Sequence, residues 1–144
     1  MEFFNFAHVY TDEPTLQKEL TVERLTEFCA SIYELIEIGQ DEAKVLCLWG
    51  EFDVRKENIN GGVRFTMPNC PNALAWTITT GFPPEPQKVV LHGTINRTEQ
   101  DPGLLQSIKA FLNDWKEGIE AIFGVSAGPA TGMVQIGDLR KIAT

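Results

Sequence analysis

The chain has 144 residues, 43% of them hydrophobic and 22% charged, which is the make-up of one ordinary globular domain and argues against extensive disorder. Its net charge of −8, from 20 acidic and 12 basic residues, repels phosphate; nucleic-acid affinity comes mainly from Lys and Arg displacing counterions, so neither nucleic acid nor an anionic membrane is an expected partner. No apolar run approaches the roughly 20 residues of a membrane-spanning helix.

The N-terminal stretch MEFFNFAHVYTDE is aromatic and acidic, without a basic region or a small-residue cleavage site. No signal peptide is therefore expected, and a cytoplasmic location follows as the default. Within that stretch residues 3–10 alternate as a strand, with Phe4, Phe6, His8 and Tyr10 on one side and Phe3, Ala7 and Val9 on the other. Both sides are apolar, so the strand is either covered on both faces or partly an interface. TDEPTLQKEL reads as a turn with a short helical piece after Pro14.

A helix is predicted from Thr21 to Ile38. Thr21 is a suitable N-cap, Gly39 a suitable C′ residue, and Leu25, Phe28, Cys29, Ile32, Leu35 and Ile36 recur at helical spacing. Lys44 to Val54 reads as one strand, with Leu46, Leu48, Phe52 and Val54 inward and Cys47, Trp49, Glu51 and Asp53 on the other face. The polar link Arg55 to Gly62 carries Asn60-Gly61, a strong hairpin signal. Val63 to Met67 then forms a short strand, and Pro68 and Pro71 break the pattern.

Ala73 to Arg97 is the clearest hairpin. Leu74, Trp76 and Ile78 share the core face of its first strand with Val89, Leu91 and Ile95 of its second, while Thr77, Thr79, His92, Thr94 and Asn96 share the polar face. A long helix follows, with Asp101 as N-cap, Pro102 at the first helical position and Gly124 as C′. Leu104, Ile108, Phe111, Leu112, Trp115 and Ile119 lie on its apolar stripe. Residues 1–124 thus predict a single α+β domain, an antiparallel four- to five-stranded sheet with two helices packed on one face. Residues 125–144 form a small-residue-rich C-terminal tail in which Met133 to Ile136 suit an edge strand.

The chemistry-bearing residues are sparse. Cys29, Cys47 and Cys70 form no C-x-x-C pair, the pattern of reduced and mostly buried thiols. Cys70, between Pro68 and Pro71, is the one expected to be exposed, but it lacks the cationic setting of a reactive thiol. No metal-ligand spacing is present, so no metal and no cofactor are expected. His92 has the pKa range of a general base, and Glu51 or Asp53 are the carboxylates that would orient it, yet no spacing brings them together. No catalytic set is recognisable. The small-residue run SAGPATG matches no phosphate-loop pattern and follows a helix where such loops precede one.

The candidate site is therefore a ligand- or partner-binding face made of Trp49, Arg64, Thr77, Thr79, His92 and Thr94. A merely solvated sheet face accounts for its threonines equally well. An outward Trp amid charges points instead to an interface or pocket. The functional expectation is a small acidic, non-enzymatic domain that binds a protein partner or forms a homodimer. The alternative is a small-molecule binding or sensing module using the Thr/His/Trp face.

Overall fold

Alternation and turn chemistry build most of the sheet. In the computed structural model, which describes residues 1–81, 86–96 and 101–124, the strands are β1 (Glu2–Ala7), β2 (Ile32–Ile38), β3 (Glu42–Cys47), β4 (Gly50–Ile59), β5 (Gly62–Thr66), β6 (Ala75–Thr80) and β7 (Val89–Thr94). They form one antiparallel sheet in the order β1-β7-β6-β5-β4-β3-β2. Strands β2 to β7 run as a meander, and β1 returns to pair with β7. The α+β class and the antiparallel pairing are as predicted, but the described residues form seven strands where four or five were expected.

Two sequence readings account for the difference. The segment expected to be a helix from Thr21 to Ile38 is a 3-10 turn (Val22–Arg24), one turn of α-helix, α2 (Leu25–Phe28), and then strand β2. Cys29 leaves the helix in an extended conformation, φ −132° and ψ 113°. The β-branched and aromatic residues Ile32, Tyr33, Ile36 and Ile38 then favour a pleated strand over continued helix. The segment expected to be one strand from Lys44 to Val54 is two, because Cys47 pairs with Gly50 around a two-residue turn at Leu48-Trp49. Gly50 adopts φ +117°, which only glycine tolerates without strain. The link expected from Arg55 onward is instead the second half of β4, and the Asn60-Gly61 turn joins Ile59 to Gly62 as predicted.

The helices cover one face. α1 (Glu13–Glu19) starts at Asp12, whose carboxylate accepts the Thr15 N–H at 2.9 Å. α3 (Pro102–Phe123) starts at Asp101, which accepts the Leu104 N–H at 3.3 Å, and ends at Gly124. Its Ile108, Phe111, Leu112, Trp115 and Ile119 are buried in one core with Trp76, Phe65, Leu91 and Phe28. No helix among the described residues is long and apolar enough to cross a membrane. The edge strand expected at Met133 to Ile136 lies outside the described residues.

Candidate functional site

The face of the sheet opposite the described helices collects five of the six predicted site residues. Arg64, Thr77 and His92 stand side by side in register, and Phe4 continues the row on β1. Thr79 sits opposite Val90, and Thr94 opposite both Ala75 and Glu2. The carboxylate beside His92 is that of Glu2, its Oε1 2.7 Å from His92 Nε2, not that of Glu51 or Asp53. Asp53 lies on β4, 3.9 Å from the Lys44 ammonium. The Phe4 ring stacks on the imidazole, with centroids 4.4 Å apart and planes 8° from parallel. Arg64 pairs with Glu57 at 3.7 Å. The arrangement is a row of partly exposed charge pairs and hydroxyls.

Trp49 does not belong to this face. The turn at Leu48-Trp49 resets the side-chain parity between β3 and β4, so Cys47 and Phe52 both point toward the helices, and Trp49 folds over that side. Its ring lies 5.0 Å from Phe111, and its Nε1 donates to Ser107 Oγ at 2.9 Å. Read as one uninterrupted strand, the segment puts Trp49 on the wrong side; Gly50 was the signal that could have shown the turn. Beneath Trp49 lies a cavity of about 210 Å³. Its lining comprises Trp49, Phe52, Leu74 and Ile95, Leu104 and Ile108 of α3, and the Cys70-Pro71-Asn72 loop, whose exposed Pro71 marks the solvent-facing mouth.

The thiols differ as their surroundings require. Cys29 and Cys47 are buried, and desolvation raises both, pushing Cys29 up to about 12. Cys70 is partly exposed. A thiol-exchange reagent at neutral pH is therefore expected to modify one cysteine rapidly in the native protein and all three in denaturant, since only a reachable thiolate attacks. Cys70→Ser should remove the fast phase; a fast phase that survives would mean that the Cys29 or Cys47 environment opens.

The two sheet edges are unlike. On β1 the Phe6 N–H is taken by Asn5 Oδ1 at 2.9 Å, and just beyond the strand the His8 N–H is taken by Glu120 Oε2 at 2.9 Å. On β2, which among the described residues pairs only with β3, Tyr33, Ile36 and Ile38 are 60%, 40% and 53% exposed. Glu34 and Glu37 stand exposed between them. Reading this segment as helix conceals the edge; its β-branched and aromatic content was the signal for it. Among the described residues no cluster of His, Cys, Asp or Glu suits a metal ion.

No family model matches this chain, and no curated protein does. Among solved structures the chain is similar to the protein XoxI from Bacillus cereus, a structural-genomics target, with a TM-score of 0.58 over 85% of this chain and 94% of that one. At 13% identity the likeness shows a shared α+β fold with an antiparallel sheet.

Proposed function

We propose that this chain is a non-enzymatic protein-interaction domain that takes an extended segment of a partner protein onto the open edge of β2. The observation that carries the reading is the edge itself: among the described residues β2 is an outermost strand, and Tyr33, Ile36 and Ile38 stand exposed on it between its charges, apolar surface that an unpartnered edge seldom presents. Strand addition gains main-chain hydrogen bonds for affinity and uses alternate side chains for specificity. Glu34 and Glu37 on the strand, Asp41 and Glu42 at the hairpin, and the net charge of −8 favour a partner segment that alternates apolar residues with Lys or Arg. The same charges oppose pairing with a second copy. Register shifts between Ile32 and Glu34 and between Leu35 and Glu37 bend the edge, which restricts it to a short segment that follows the bend.

A synthetic peptide alternating Val with Lys, followed by fluorescence anisotropy, tests this. It should bind the protein, and a Val/Glu peptide of equal length should not. The double variant Tyr33→Lys, Ile36→Lys should weaken binding by at least about tenfold at an unchanged Tm, because both positions are exposed. Equal binding of the two peptides, or of the two proteins, would refute the reading. A dimer in sedimentation that the same variant dissociates would put a second copy in the partner's place.

A further inference from the structure

The cavity beneath Trp49 faces the helix side of the sheet and is independent of the β2 edge. We infer that it is a binding site for a small, uncharged aromatic molecule. Its volume, about 210 Å³, exceeds that of an engineered apolar cavity of about 150 Å³ that stays dry and takes up benzene. Trp49, Phe52, Cys70 and Leu104 of its lining are only partly buried, and an apolar occupant takes that surface out of water. The lining selects the class of occupant. Trp49 and Phe52 offer ring faces, and the Cys70 sulfur is of the kind that contacts aromatic edges favourably. The Trp49 Nε1–H is already committed to Ser107 Oγ, so an occupant gains by packing and pays for any charge it carries.

The walls are held in place before a ligand arrives. Trp49 is fixed by its hydrogen bond to Ser107, whose own hydroxyl donates to the Leu104 carbonyl at 2.7 Å. The rim is braced by Cys70 N–H to the Met67 carbonyl, Ala73 N–H to the Cys70 carbonyl and Met67 N–H to the Leu74 carbonyl, each 3.0 Å. Ala73 is held at φ +51°, a left-handed conformation unusual for a residue with a side chain. A preformed wall of this kind lowers the ordering cost of binding.

The test is titration of the full chain with p-xylene, followed by methyl chemical shifts. Saturable shifts are expected at Leu74, Ile95, Leu104 and Ile108, together with a blue shift of tryptophan emission. Trp76 and Trp115 are fully buried, so Trp49 supplies that change and Trp49→Phe removes it. Cys70→Phe fills the mouth and should weaken binding at least about tenfold, whereas Cys70→Ala should retain it. Absence of saturable shifts, shifts centred elsewhere, or undiminished binding by a folded Cys70→Phe protein would overturn the site. If Cys70→Phe does not fold, the shift map of the native chain decides alone.

Discussion

Replacing Trp115 with alanine will lower the unfolding free energy by about 3–5 kcal/mol. Trp115 is fully buried, and its ring lies 5.3 Å from Phe65, 5.9 Å from Trp76 and 6.2 Å from Phe28. Those three partners belong to β5, β6 and α2, so one side chain on α3 ties the long helix both to the middle of the sheet and to the short helix that precedes β2. Truncation removes the transfer free energy of the indole and leaves a void that three aromatic neighbours, themselves locked in rotamers, cannot close. For a chain of this length the loss corresponds to a fall in Tm of about 6–20 °C. Trp115→Phe should cost under about 1.5 kcal/mol. It keeps most of the ring contacts, and it deletes an Nε1–H with no hydrogen-bond partner among the described residues, whose burial is itself unfavourable. Denaturant titration of both variants measures the difference; a Trp115→Ala loss below about 1.5 kcal/mol would mean that the aromatic cluster repacks freely.

The elements that were legible in the sequence are those where one periodicity stands alone. The β6–β7 hairpin alternates strictly, α3 carries both caps and an unbroken 3.6-residue stripe, and Asn60-Gly61 announces its own turn. The misread segments are those where two patterns coincide. Leu25, Phe28, Ile32 and Leu35 satisfy helical spacing, yet the chain leaves the helix at Cys29 and the later residues pack as a strand against β3. Tertiary pairing there overrides a local pattern that suits either state. At Leu48-Trp49 the apolar alternation continues through a turn, and the change of direction rests on the backbone of Gly50, which hydrophobic pattern does not encode. The consequence for the site is direct. Arg64, Thr77, Thr79, His92 and Thr94 lie on strands of correctly read parity and share the expected face. Trp49 and the whole of β2 lie on misread segments, and they are what define the cavity and the open edge.

Gly118→Ala, a substitution that helix propensity alone favours, is expected to destabilise the protein by about 1–3 kcal/mol. In the interior of an exposed helix, alanine is better than glycine by about 1 kcal/mol. At Gly118 the added Cβ would stand 1.7 Å from the carbonyl oxygen of Phe28 and 2.5 Å from its carbonyl carbon. The obstacle is backbone, so no side-chain rotation relieves it; α2 and α3 must separate. Separation disturbs the Phe28 contacts with Trp115 and Phe123 and the hydrogen bond from Ser31 Oγ to Asp114, which anchors the chain just before β2. The control is Ala121→Gly on the exposed face of the same helix, where only propensity acts and about 1 kcal/mol should be lost. Opposite preferences for alanine at positions 118 and 121 are the signature of close approach. Amide exchange locates the effect: in Gly118→Ala, β2 should exchange faster relative to β5 and β6, because the strand loses its anchor while the centre of the sheet keeps its ladders. A stabilising Gly118→Ala would mean that α2 does not rest on α3, and the edge of β2 would then lack the support that the proposed strand capture requires.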